Sequence, residues 1–79
     1  MYQDLLLNPE IKQILSEREL SLRIEGLYKH AFLNIRKDAS FSLLIGELIE
    51  KISLTEGYVV GQIFAYNIMG LAYLSLTNY

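Results

Sequence analysis

Residues 58–76 read YVVGQIFAYNIMGLAYLSL, nineteen consecutive uncharged residues in a chain of 79. A helix of this length can span the hydrocarbon core of a bilayer, and a helix that is apolar on all sides is otherwise a buried one. Three placements are therefore open for this segment: in a membrane, in the core of the chain, or against a second copy of it.

The polar content of the segment argues against the membrane. Gln62 and Asn67 lie in its interior together with three tyrosines, and no Lys or Arg follows Lys51 to anchor the far end. In a small bundle, two neighbouring helices cannot cover a helix with apolar residues in every direction. We therefore expect a water-soluble helix at the centre of a homodimer or larger homo-oligomer, which would cover the surplus apolar surface.

Two rows of residues are candidates for this self-association. Small residues allow two helices to approach closely, and here they form the small-residue row Gly57, Gly61 and Ala65. Large side chains with a polar tip suit an interface, and they form the tyrosine row Tyr58, Gln62, Tyr66 and Tyr73. The alternatives are a tight crossing within the chain for the first row and a core edge whose polar tips reach water for the second.

Helix signals occur along the rest of the chain. Asn8 followed by Pro9 predicts a short helix over 9–15. The Ser16–Glu19 spacing predicts a capping box that starts a second helix at Ser16, and Asp38 or Ser40 is expected to cap a third. This third helix should carry Phe41, Leu44, Ile45, Leu48 and Ile52 inward, with Ser42, Glu47, Glu50 and Lys51 outward.

A second capping-box spacing, Ser53–Glu56, with Thr55 as the alternative cap, predicts the start of a fourth helix that runs to about Leu76. No stretch has the alternation of a strand. The predicted fold is all-α: a single domain over residues 1–79, built as a small bundle of three main helices plus a short N-terminal helix, and completed by homo-oligomerisation.

The composition of the chain argues against catalysis. The chain has no cysteine and one histidine, His30, which is expected to face solvent. We therefore predict no metal site, no cofactor and no enzymatic activity. Glu47 and Glu50 could form a carboxylate pair, but exposed carboxylates are common on helices and Glu47 already has Lys51 four residues on. The apolar run Leu5–Leu7 is too short for the core of a signal peptide, so we expect a cytoplasmic protein.

Basic residues are concentrated in the first half of the chain. Six of the seven Lys and Arg residues lie between Lys12 and Lys37, where there are three acidic residues. Leu22 and Leu33 are expected on the outer side of the second helix, with Gly26 beside them. Basic residues flank the two leucines, and we call this group the basic strip: Arg18, Leu22, Arg23, Lys29, His30, Leu33, Arg36 and Lys37.

The basic strip could receive an acidic amphipathic segment of a partner protein, or it could lie along nucleic acid. The alternative is a solvated helix with two exposed leucines, which are ordinary on protein surfaces. The sequence thus predicts a non-catalytic regulator, inhibitor or adaptor that binds itself and another macromolecule, preferably a protein. A nucleic-acid-binding regulator and a membrane-associated factor such as an immunity protein are the alternatives.

Overall fold

The computed structural model describes residues 2–77, which form five α-helices and no strand. The all-α prediction is confirmed. The helices are α1 (Tyr2–Leu7), α2 (Pro9–Leu15), α3 (Leu20–Asn34), α4 (Ala39–Glu56) and α5 (Val59–Thr77). The first of them, ahead of Asn8, was not predicted.

The start of α2 follows the sequence signal, but the start of α3 does not. The side-chain Oδ1 of Asn8 accepts hydrogen bonds from the amides of Glu10 (2.9 Å) and Ile11 (3.2 Å), as expected of an N-cap. The predicted cap at Ser16 is wrong. Ser16 ends α2, because its amide bonds the carbonyl of Lys12 and its hydroxyl donates to the carbonyl of Gln13. Helix α3 begins at Leu20, with Glu19 at the N-cap and no side-chain cap.

The cap of α4 is confirmed, and the predicted break at Ser53 is wrong. Oδ1 of Asp38 accepts from the amide of Phe41 at 3.0 Å. Helix α4 continues through Ser53 and Thr55 to Glu56 and ends at Gly57, which has the left-handed φ of +67° typical of a glycine after a helix. Helix α5 follows after two residues, so the two longest helices form a tight hairpin.

All five helices contribute to one apolar core. Helices α3, α4 and α5 supply most of it, and Leu5 and Ile11 close it from the side of α1 and α2. Its other members are Ile24, Leu27, Ala31, Ile45, Leu48, Ile49, Ala65 and Ile68. Phe41, Leu44 and Ile52 pack partly buried against this cluster, so the predicted inward face of α4 is correct.

Close helix approach shapes the packing of α4 against its neighbours. A Cβ on Gly46 would lie 2.6 Å from Cγ of Met69, and one on Gly61 would overlap the Ser53 hydroxyl, so these glycines let α4 and α5 touch at backbone distance. Ser42, expected outward, is instead buried, and its hydroxyl donates to the carbonyl of Ala31 at 2.6 Å. That expectation was wrong because a serine small enough to enter the α3–α4 contact can bond a carbonyl at the end of α3.

Candidate functional site

Helix α5 carries an uncovered apolar surface along its whole length. Val59, Ile63 and Leu74 are 65%, 62% and 66% exposed. We call this surface the α5 face, and its members are Val59, Val60, Ile63, Tyr66, Gly70, Tyr73 and Leu74, all exposed. The expectation that neighbouring helices cannot cover all of α5 is correct for this single chain.

The spacing of the α5 face is that of a helix–helix seam. Val59, Ile63, Tyr66, Gly70 and Tyr73 follow one another at steps of four and three residues. This is the heptad spacing with which paired helices interlock. Gly70 lies at its centre, and no atom lies within 4 Å of the position a Cβ would take there.

The α5 face is larger than the apolar patches that are usual on the surface of soluble monomers. Its six large residues are each between 48% and 66% exposed. Soluble monomers rarely expose contiguous apolar patches larger than a few hundred Å². No charged residue lies in α5, so the helix itself presents no carboxylate or cation to a second apolar surface.

The predicted small-residue row lies on the opposite side of α5 from this face. Gly61 and Ala65 are buried within the chain, and Gly57 ends α4. The structure therefore places Gly61 and Ala65 at the tight intrachain crossing and Gly57 in the exposed turn before α5, and a second chain has no access to Gly61 or Ala65 while α4 and α5 stay packed. Gly70 is the small residue on the open side, and its position seven residues after Ile63 was the signal for it.

The tyrosine row is divided between two environments. Tyr66 and Tyr73 belong to the α5 face. Tyr58 and Gln62 are half-buried, and Tyr58 packs against the core cluster. The structure thus brings only the second half of this row onto the exposed apolar surface.

The basic strip is only partly one surface. Leu22 and Leu33 are exposed on α3 as predicted, with Lys29 exposed beside them. Three of its basic residues stand in the turns that flank α3 and are also exposed: Arg18, Arg36 and Lys37. Gly26 faces α2, where a Cβ would lie 2.9 Å from Cγ2 of Ile14.

Two residues of the basic strip, Arg23 and His30, are half-buried. His30 was expected to face solvent, but its side chain is 16% exposed and its Nδ1 lies 3.6 Å from a carboxylate oxygen of Glu10. The His30 ring also meets the Phe41 ring edge-on at 5.9 Å. The expectation was wrong because α2, whose register on α3 the sequence did not reveal, covers this side. Arg23 points toward α1 and α4 and lines a cavity there.

The described part of the chain holds no cluster of three or more His, Asp or Glu side chains that could bind a metal ion. Among residues 2–77, one helix, Val59–Thr77, is long and apolar enough to cross a membrane, and 22% of its apolar window is buried in the chain. Comparisons of the chain with protein-family models, with curated proteins and with solved structures find no match.

Proposed function

We propose that this chain is a small non-catalytic helical protein that self-associates through the α5 face and acts in the cytoplasm by binding another protein. The observation that carries the proposal is the exposure of Val59, Ile63 and Leu74 on a helix without charges. Burying apolar surface stabilises an assembly by about 25 cal/mol per Å² before the entropic cost of association is subtracted.

A two-fold contact between copies of α5 satisfies these features together. The same patch on each chain covers its counterpart, which is the commonest way in which homo-oligomers form. Crossing at Gly70 brings the two helix backbones close, while Ile63 and Tyr66 on one side and Tyr73 on the other fill the space along the seam. The tyrosine hydroxyls reach the rim and keep their contact with water.

The exposed part of the basic strip supports the second half of the proposal. Leu22 and Leu33 offer apolar contacts, and Arg18, Lys29 and Arg36 supply positive charge around them. An acidic amphipathic helix complements this arrangement. Nucleic acid is the alternative partner, and retention of the protein on DNA that weakens steeply with salt would favour it.

One observation favours a second candidate function, that of a membrane-associated factor such as an immunity protein. Helix α5 has the length and composition of a membrane span and is mostly uncovered. Its interior polar residue Asn67 already accepts a hydrogen bond from the hydroxyl of Tyr28 at 2.8 Å. In this candidate, lipid covers the α5 face in place of a second chain.

Light scattering without detergent tests the self-association. The wild-type protein is expected to be a dimer or larger at micromolar concentration. Ile63→Glu is expected to give a folded monomer, because two carboxylates would face each other across the apolar contact. The matched control is Leu7→Glu, a change of an equally exposed residue (67%) on α1, which does not contact α5 and should leave the assembly unchanged.

A monodisperse wild-type monomer in the absence of detergent would refute self-association. The membrane-associated candidate would be favoured if the protein were insoluble without detergent and partitioned into lipid vesicles, and if Ile63→Glu abolished this partition. Equal loss of the dimer in Ile63→Glu and Leu7→Glu would show that the contact does not run through the α5 face.

A further inference from the structure

A cavity of about 270 Å³ lies where α1, α3 and α4 meet, away from α5. We propose that it binds a small apolar molecule or chain end that carries a carboxylate, with Arg23 as the residue that holds the negative charge. Seven residues line this cavity: Leu6, Arg23, Leu48, Lys51, Ile52, Thr55 and Glu56.

Arg23 is the basis of the proposal. Its Nε is buried and has no hydrogen-bond acceptor among the groups that the structure describes, and no described side chain (residues 4–77) forms an ion pair with the guanidinium. A partly buried cation without a counter-charge is unfavourable. A carboxylate is the group whose geometry matches a guanidinium best, because two parallel hydrogen bonds can form.

Three charged side chains line the cavity: Arg23, Lys51 and Glu56. Lys51 also interacts with another group of the protein, so the proposal relies on Arg23. The Thr55 hydroxyl already donates to the carbonyl of Lys51 at 2.9 Å and remains able to accept only.

The walls and the volume define the rest of the ligand. Leu6, Leu48 and Ile52 give the cavity an apolar lining. The volume of about 270 Å³ corresponds to roughly nine waters at a liquid volume of about 30 Å³ each, so a short-chain carboxylate such as hexanoate is the size of ligand to test. Two sources share this chemistry: a free short-chain carboxylate, and the C-terminal carboxylate of a peptide that ends in an apolar residue.

Titration of the wild-type protein with hexanoate, followed by amide chemical shifts, tests the proposal. Hexanoate is expected to bind saturably with shifts at the cavity residues, and hexanamide and hexylamine are expected to bind at least tenfold more weakly. A tripeptide that ends in leucine, with a free or an amidated C-terminus, identifies the source. Tighter binding of the free-acid peptide points to a chain end, and tighter binding of hexanoate points to a small molecule.

Arg23→Gln is expected to weaken hexanoate binding at least tenfold, while Lys12→Gln, a change of an exposed cation on α2, leaves it unchanged. Far-UV circular dichroism checks that both variants fold, and the hexanamide comparison on the wild type does not depend on any variant. Absence of saturable binding by either carboxylate, equal binding of hexanoate and hexanamide, or full binding by folded Arg23→Gln would overturn the proposal. None of these outcomes depends on the oligomeric state.

Discussion

Two buried serines on α4 show how the same side chain has opposite energetic effects. The Ser42 hydroxyl donates to the carbonyl of Ala31, which lies in the last turn of α3, where backbone carbonyls lack a helical partner. The Ser53 hydroxyl is buried beside Gly61 and has no hydrogen-bond partner among the described residues. The hydrogen bond of Ser42 offsets the cost of desolvating its own hydroxyl and the Ala31 carbonyl. Ser53 forms no such bond, so the desolvation of its hydroxyl is not compensated.

Ser42→Ala is therefore expected to lower the free energy of unfolding by about 1–2 kcal/mol, because a buried carbonyl loses its donor. Ser53→Ala is expected to leave the free energy unchanged or to raise it by up to about 1 kcal/mol, because a desolvated hydroxyl is removed. Urea unfolding of both variants at one protein concentration measures the difference. Equal destabilisation by the two substitutions would contradict this account.

At the scale of the helices, the two ends of α2 allow a similar comparison. Asn8 caps two amides at the start of α2, so Asn8→Ala is expected to destabilise the protein by about 1 kcal/mol. Ser16 has an exposed hydroxyl bond to the carbonyl of Gln13 in the last turn. Ser16→Ala should therefore change stability by less than about 0.5 kcal/mol.

Thermal or urea unfolding of the two variants, side by side, checks this prediction. A larger loss of stability for Ser16→Ala than for Asn8→Ala would mean that Ser16 caps α3 in solution, as the spacing of Ser16 and Glu19 indicates. Helicity measured by circular dichroism should stay close to that of the wild type in both cases.

Helix signals that specify backbone geometry were sufficient to locate several boundaries. Asn8–Pro9 fixes the start of α2, and Asp38 fixes that of α4. The Ser-x-x-Glu spacing did not mark a helix start at Ser16 or at Ser53, because a serine and a glutamate three residues apart also occur inside a helix or at its end. Gly57, which ends α4 in a left-handed conformation, was the better signal for that boundary.

The sequence did not reveal which side of α5 packs against α4 and which side stays exposed. Both sides carry small residues: Gly61 and Ala65 on one and Gly70 on the other. The choice is made by α4, where Ser53 and Gly46 provide the space for a close crossing. Such a match between residues of different helices has no local signature. In contrast, the excess of apolar residues on α5 needed no structure to be recognised.

At the scale of the whole molecule, the two proposed surfaces cover different parts of the fold. The α5 face belongs to one helix, whereas the basic strip spans α3 and its flanking turns. They approach each other at one end, where Arg36 and Leu74 line the same cavity. Arg18 and Lys29 do not line it. Charge at those two positions can therefore be changed without altering the rim of the α5 face.

Reversal of both charges, Arg18→Glu with Lys29→Glu, is expected to weaken binding of an acidic partner at least tenfold and to leave the oligomeric state unchanged. The reason is that steering and complementarity depend on the sign of the exposed charges. The measurement compares the proteins retained by immobilised wild-type and variant protein, with light scattering on the same samples. A control with Lys12→Glu changes an exposed cation on α2.

Unaltered retention of the same proteins by the double variant would leave this part of α3 as ordinary solvated surface. Loss of the dimer in the double variant would show that the basic strip takes part in self-association, and that the two surfaces are one. Equal effects of Lys12→Glu would indicate a general influence of net charge rather than a defined contact.

The short link between α4 and α5 also bears on the order in which the chain folds. Only Gly57 and Tyr58 separate these helices, so bringing them together costs little loop-closure entropy. Contacts of α1 with α4, in contrast, must close a loop of more than thirty residues. We therefore expect the α4–α5 hairpin to form early in folding, and α1 and α2 to dock on the other helices later. Native-state hydrogen exchange measures which elements open most easily, and the amides of α1 and α2 are expected to exchange ahead of those in α4.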